Sequence, residues 1–240
     1  MGKKLSESPR RQRKRAARKD AILKMAMDLV VEGGLEGLTI HRLARELDYT
    51  PGALYRYFPS KGAVLAELQR ESLESIHAGL TKHLEQQLLR DEVRGASEKV
   101  RALFSILLLS VHYIALGNEI PHHTKIITYL FGDPRPLIPT EEIQRSAPAF
   151  IALLSEVDDV LLAAVAKKAI KSGEARSRTL LLWSSVQGVL QLEKLQQIQA
   201  VSADIRVLGL QLTESLLLGW GATRASLQDA VNLLNIDFEK

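Results

Sequence analysis

Residues 38–61, LTIHRLARELDYTPGALYRYFPSK, constrain the fold more than any other stretch of this chain. Leu38, Leu43, Ala44 and Leu47 recur at helical spacing and mark one apolar face. Thr39 stands just ahead of that pattern, where an N-cap belongs. The run Asp48-Tyr49-Thr50-Pro51-Gly52 then breaks the helix. Thr50 can cap a second helix, and Pro51 suits its first position because an N–H there has no partner in the helix anyway. That second helix, over 51–58, has only Leu54 and Phe58 to bury. Gly52, Ala53, Tyr55, Arg56 and Tyr57 are left facing outward. Two short helices joined by a tight turn, the second with small residues at its start and aromatics with an arginine beyond, suit entry into a DNA major groove. Small residues allow close approach, and Tyr and Arg reach phosphates and base edges.

The charge distribution agrees with a polyanion partner at one end. Residues 1–62 hold 14 Lys/Arg against 7 Asp/Glu, a net of +7, whereas the whole chain carries only +4. The remaining 178 residues are therefore slightly acidic, at −3. Much of the excess lies in 2–19, with Lys3, Lys4, Arg10, Arg11, Arg13, Lys14, Arg15, Arg18 and Lys19. So polar a stretch is expected to be disordered when free, over residues 1–14 at least. It is either a solubilising tail or an arm that neutralises phosphates or enters the minor groove. Met1-Gly2-Lys3-Lys4-Leu5-Ser6 also fits the short myristoylation pattern, a match common by chance and set aside for a plain basic tail.

Helix 1 is expected over 15–32, with Ala21, Ile22, Met25, Ala26, Leu29 and Val30 as its stripe and Gly33-Gly34 as its end. From Ala26 the residues then read A-x-x-L-x-x-E-G-G-L-E-G-L-T-I-x-x-L-A-x-E-L, followed by G-A-L-Y-R-Y-F-P-S-K and a long helix. This order resembles the DNA-binding domain of the tetracycline-repressor (TetR) family over residues 21–68. Gly34, Thr39, Leu43-Ala44, Leu54-Tyr55, Phe58 and Ser60-Lys61 all fall in register. The resemblance implies an all-α chain: a three-helix helix-turn-helix head over 15–62, then a larger helical body over 63–240 that binds ligand and dimerises. Carried over position by position, it implies that Thr39 and Lys61 contact phosphates. It implies that Tyr55 and Tyr57 face the DNA backbone from the recognition helix, and that His41, Thr50, Gly52, Ala53 and Arg56 lie where base or groove contacts occur. Arg42 and Pro51 complete this candidate surface. Asp48 stands where the family usually has a turn glycine, and Tyr49 where it usually has a small aliphatic residue. Asp tolerates the left-handed conformation better than most residues, so the turn is expected to survive. Gly62 replaces a common acidic residue, with no consequence visible in the sequence.

Ser60 can cap a helix from 61 towards 90, whose stripe includes Val64, Leu65, Leu68, Leu73, Ile76, Leu80 and Leu84. Its first turns belong to the head and the rest to the body. Beyond it the sequence predicts helices over 97–116, 124–130, 141–147, 149–171, 174–199, 203–219 and 226–234. The stretch 132–139 is a loop, since three prolines in six residues cannot continue a helix. Leu181, Val186, Gly188 and Val189 on one late helix, and Leu208, Leu212 and Leu216 on another, form long apolar faces with glycine notches at Gly188 and Gly209. They either pack within the chain or associate with a second copy. In the resembled family such helices form the dimer interface, so a homodimer is expected.

The effector site is read from apolar helices with sparse polar groups: His112, Tyr113, Leu116, Tyr129, Trp183 and Gln187. His112 on an apolar helix also reads as a hydrogen-bonded core histidine. His77 and His83, six residues apart, share no helical face, and His122-His123 point in different directions, so no metal and no cofactor is expected. There is no cysteine, which excludes disulfides and thiolate metal sites. No apolar run reaches the ~20 residues of a membrane span, and no apolar signal core is present at the start. A cytoplasmic, nucleoid-associated protein with no membrane partner is expected. An enzyme is not expected, because no strained Ser elbow with His and Asp, no glycine-rich phosphate loop and no metal-ligand set occurs. The sequence points to a regulator of transcription on a near-palindromic duplex operator, a repressor released by a small-molecule effector. A ligand-independent or activating regulator, and a basic helical membrane-surface protein, are the competing readings.

Overall fold

The structure, a computed structural model, describes residues 8–192 and 204–234, and among them every regular element is a helix. The order is α1 (Pro9–Gly37), α2 (Ile40–Glu46), α3 (Pro51–Tyr55), α4 (Lys61–Leu88), α5 (Asp91–Gly95), α6 (Glu98–Glu119), α7 (Pro121–Gly132), α8 (Thr140–Ala166), α9 (Ala175–Gln191), α10 (Ile205–Gly219) and α11 (Arg224–Leu233). The chain forms two compact units. One runs through Ser72 and takes in Lys125–Ala147; the other is Leu73–Thr124 with the residues from Pro148 onward. The myristoylation pattern lies outside the described residues, as does the part of the 174–199 helix beyond residue 192.

The head is larger than the sequence predicts. Its core joins Ile22, Leu23, Ala26 and Val30 of α1, Leu43 and Ala44 of α2, Leu54 of α3, and Val64, Leu65 and Leu68 of α4. Ile126 of α7 and Ile138 of the following loop are buried in the same cluster. A boundary at residue 62 therefore cuts through packed residues. Gly62 now has a physical reason: a Cβ there would lie 2.3 Å from Pro139 Cδ. The 132–139 loop is pinned to this unit by Arg135, whose guanidinium pairs with Asp133 and with Glu36, each at 2.6 Å. Arg135 holds the Asp133 carboxyl down at about 2.

Two further boundaries differ from the sequence reading. Residues 9–14, expected in a disordered tail, are the first turns of α1. Ser8 precedes the helix and Pro9 occupies its first position, and Arg, Lys, Gln and Ala are all good helix formers. The helical path of α1 is interrupted at Gly34 (φ 66°, ψ −170°), a conformation essentially reserved for glycine, and resumes for the last residues. The helices expected over 141–147 and 149–171 are one helix, α8, which carries Pro148 in its interior and ends at Ala166.

In the second unit α6 is the central helix, packed by α9, α10 and α11. By length and composition α6 could cross a membrane, with mean hydropathy 1.8, but 78% of that window is buried inside the fold. The serines and the histidine that interrupt its apolar run in the sequence are buried with it. Ser110 donates back to the Ile106 carbonyl at 3.1 Å, so its hydroxyl is satisfied within the helix.

Candidate nucleic-acid interface

The turn between α2 and α3 is built by caps. The Thr39 hydroxyl accepts from the Arg42 N–H at 3.1 Å and starts α2. At the other end the Tyr49 N–H reaches the Ala44 carbonyl (2.8 Å) and the Asp48 N–H reaches the Arg45 carbonyl (3.2 Å). That pair of bonds is a Schellman motif, and its left-handed position is Asp48, with φ 55°. The aspartate thus takes the turn glycine's conformation, as expected. Thr50 then accepts from the Ala53 N–H at 3.3 Å and starts α3 behind Pro51.

α3 is shorter than the sequence predicts: it ends at Tyr55, and Arg56 and Tyr57 form a turn. It is held by one buried side chain, Leu54, with Phe58 buried just beyond. Gly52, Tyr55 and Arg56 are exposed, and Pro51 and Ala53 are half-buried. A Cβ built on Gly52 meets nothing within 4 Å. Gly52→Ala is therefore expected to stabilise the protein by about 0.4–1 kcal/mol, because alanine has less freedom to lose in a helix. On the reading of α3 as a groove-entering helix, the same methyl group would stand in the path of the duplex. Its expected cost is about tenfold in DNA affinity, ~1.4 kcal/mol. Thermal melts and gel shifts on one sample check the two opposite signs.

Other predicted contact residues have partners within the protein. His41, Thr39 and Thr50 are exposed, the threonines with their oxygens in use as caps. Arg42 spans the end of α1, pairing with Glu32 at 2.5 Å and donating to the Gly37 carbonyl at 3.3 Å. Lys61 donates to the Leu35 carbonyl at 2.6 Å. Both cations hold the end of α1, Arg42 from α2 and Lys61 from the start of α4, a structural task the motif spacing did not reveal. Ser60 caps α4 as expected, accepting from the Ala63 N–H at 3.1 Å.

The sequence reading missed one feature of this unit. Arg11, Lys14, Arg15 and Arg18 of α1, with Arg56 and Tyr57, line a groove of about 460 Å3. The Arg18 guanidinium is hydrogen-bonded by Tyr57, which raises its already high pKa. Tyr57 is half-buried and packs on the head's core. Lys19 is engaged elsewhere: it pairs with Glu67 at 2.6 Å and sits 5.6 Å above the Phe58 ring. Burial pushes the Glu67 carboxyl up, but hydrogen bonds from Arg70 and Lys19 outweigh it and hold the group below its ordinary value. The spacing 11, 14, 15, 18 was the available signal, since it becomes a face once residues 9–14 are helical. Like charges at these spacings each cost a helix about 0.2–0.5 kcal/mol, and cations at an N-terminus oppose the helix dipole.

The second unit holds a small cavity of about 40 Å3. Leu80, Leu109, Tyr113, Leu154, Thr179 and Trp183 are among its lining residues. Of the predicted effector residues Tyr113 and Trp183 line it, whereas Gln187 does not: its amide donates to the Tyr113 hydroxyl at 3.0 Å. Gln187 Oε1 is buried with no hydrogen-bond partner. Burial pushes the Tyr113 phenol well above its usual value, so it stays protonated. Thr179, unforeseen in the lining, donates to Asp158 at 2.6 Å.

Three predicted effector residues lie elsewhere. His112 stacks on His83 with ring centroids 3.7 Å apart, and burial holds both imidazoles below their usual pKa. Leu116 packs at Gly79, where a Cβ would lie 3.2 Å from its Cδ2. Tyr129 packs on the core of the head unit. Helical period placed these residues on apolar faces without saying which neighbour each face meets. Among the described residues no group of three or more His, Asp or Glu is arranged to hold a metal ion.

The predicted association faces divide in the same way. Leu181 is 52% exposed, Gly188 is exposed with open space around it, and Leu208, Leu212 and Leu216 are half-buried. Val186 and Val189 are buried within the chain, on the inward face of α9, with Val186 lining the cavity. The Gly209 notch also serves the chain itself, since a Cβ there would lie 2.1 Å from Ile114 Cδ1 of α6.

Residues 22–68 match the family model described as bacterial regulatory proteins, tetR family. No curated protein matches the chain. Solved structures share its fold. A bacterial regulatory protein in the tetR family from Rhodococcus RHA1 superposes with TM-score 0.60 at 15% identity, over 85% of this chain and 97% of that one. RolR, solved in complex with resorcinol, gives TM-score 0.60 at 16% identity, over 95% and 98%. The fatty acid degradation regulator FadR from Bacillus halodurans gives 0.59 at 16%, over 91% and 100%. At these identities the likeness is one of fold.

Proposed function

We propose, from the premise that this chain is a tetR-family regulator in its head and its fold, that it is a homodimeric repressor released from its operator by a small-molecule effector. The observation that carries the DNA-binding part is the form of α3. A five-residue helix whose one buried side chain is Leu54, with Gly52 and Tyr55 exposed, contributes little as scaffold and suits a groove. Two copies place two α3 helices in major grooves about one helical turn or slightly more apart on a near-palindrome. His41, Thr50, Pro51, Gly52 and Ala53 lie against base edges and groove walls. Thr39, Arg42, Tyr55, Tyr57 and Lys61 stand along the backbone, the cations with donors left after their internal bonds. Leu181 and Gly188 of α9, with Leu208, Leu212 and Leu216 of α10, supply the face for the second copy. The protein acts in the cytoplasm, on the nucleoid.

The effector is a small, mostly apolar molecule that enters at Tyr113 and Trp183, with Gln187 behind the tyrosine hydroxyl. The unmet Gln187 acceptor calls for a donor, since a buried polar atom without a partner is costly. RolR, of the same fold, holds resorcinol, a small phenol, which supports a ligand of this size. α4 begins in the head and continues into the second unit, so the effector need only favour a conformation that spaces the two heads wrongly. Its differential affinity for the two states bounds the effect.

Selection of bound duplexes from a random pool tests the reading, followed by a thermal-shift ligand screen and sedimentation. A palindromic consensus bound by a dimer is the expected result. Absence of any enriched sequence, or a species of 26.6 kDa alone at micromolar concentration, overturns it.

A further inference from the structure

The basic groove beside α3 is not explained by a helix-turn-helix reading its bases. Arg11, Lys14, Arg15 and Arg18 occupy one face of α1, and Arg56, one residue past the end of α3, closes the groove with Tyr57. An adjoining groove of about 360 Å3 is lined by Gln12, Arg15, Ala16, Lys19 and Tyr57. Among the described residues no carboxylate lines either one. The nearby Glu67 is already shared by Lys19 and Arg70. Arg18 and Tyr57 line the same groove, the tyrosine hydroxyl beside the guanidinium.

We propose that this groove is a phosphodiester clamp, in which the first turns of α1 and Arg56 grip one DNA strand alongside the groove that α3 enters. The proposal rests on the DNA-binding reading and assigns Arg56 to the backbone rather than to base choice. The dimensions favour a strand over a single anion. Residues 11 to 18 extend roughly 10 Å along the helix axis. One strand of B-DNA offers a phosphate every 3.4 Å of its axis and winds as it rises, so the array is long enough for more than one phosphate. The unfavourable charges at the start of α1 then have a counterpart: bound phosphates relieve both the repulsion along the helix and the opposition to its dipole.

The salt dependence of operator binding reads the clamp directly. Each phosphate contact contributes about 0.9 to the slope of log K against log salt. The double variant Arg11→Ala/Arg15→Ala is expected to lower the slope by roughly 1.8, and Arg56→Ala by roughly 0.9. The rank order among operators carrying single base changes stays as in the parent. Arg15→Lys, which keeps the charge, is expected to retain the slope. All four positions on α1 are exposed, so thermal melts of the variants should lie at or slightly above the parent's, as relief of the repulsion along the helix requires. Unchanged slopes in variants of a parent that binds its operator overturn the clamp alone. A changed rank order with Arg56→Ala returns that residue to base reading and overturns its assignment. Loss of binding to anionic phosphatidylglycerol vesicles in the variants, with DNA slopes intact, moves the groove to a membrane surface and overturns it too. A parent that binds no duplex removes the reading beneath it.

Discussion

Leu54→Ala is expected to uncouple α3 from the head and to abolish operator binding at temperatures where the parent still binds. Leu54 is 1% exposed and is the only buried side chain of a five-residue helix. So short a helix has no stability of its own, because it makes almost no backbone bonds to offset the fixing of its dihedrals. Tertiary burial at Leu54, the Thr50 cap and the Phe58 anchor hold it in place. Truncation of a buried leucine costs about 2–5 kcal/mol, the loss of transfer energy plus the cavity left behind. In a domain of this size the melting temperature falls on the order of 10 °C or more. Leu54→Met keeps the volume and is expected to cost less than about 1.5 kcal/mol. A melt of Leu54→Ala that coincides with the parent's would show that something other than this side chain seats α3.

Tyr55→Ala, one position along, is expected to do the reverse: leave the melt within about 0.5 kcal/mol of the parent and weaken operator binding 10–100-fold, about 1–3 kcal/mol. Tyr55 is 51% exposed, about 100° around the helix from the buried Leu54. Its ring and hydroxyl have an apolar body for sugar contacts and a donor for a phosphate oxygen. The loss is expected across all sequences, because backbone contacts carry no base information. Tyr55→Phe separates the two parts: it keeps the ring and loses only the hydroxyl's share. Parental affinity in Tyr55→Ala would place the DNA surface elsewhere on the head. The contrast between adjacent residues is the useful measurement, since a general loss of folding cannot produce it.

The head was legible because its determinants are local. N-caps act over three residues, so Thr39, Thr50 and Ser60 announced α2, α3 and α4 from the sequence, and each accepts the expected N–H. The Asp48 turn was legible for the same reason: one residue's tolerance of positive φ decides it. The Pro148 and residue 9–14 boundaries were not, because a breaker or a run of charge sets only a propensity. α8 continues through Pro148 although a proline in a helix interior costs ~3 kcal/mol. The start of α1 follows from helix-forming residues that the charge count concealed.

The amino-acid order by itself determined that the chain is helical, where the two-helix unit lies, and which end carries the excess positive charge, because caps, turn chemistry, apolar period and net charge are properties of neighbours in the chain. Tertiary structure alone decided what those faces meet. It spent Val186 and Gly209 inside one chain, moved Tyr129 to the head, required Gly62 to make room for Pro139, and set Arg56 beside four cations of α1. A helical period says that a side chain lies on a face, whereas its partner is fixed by residues distant in sequence, brought together only when the whole core closes.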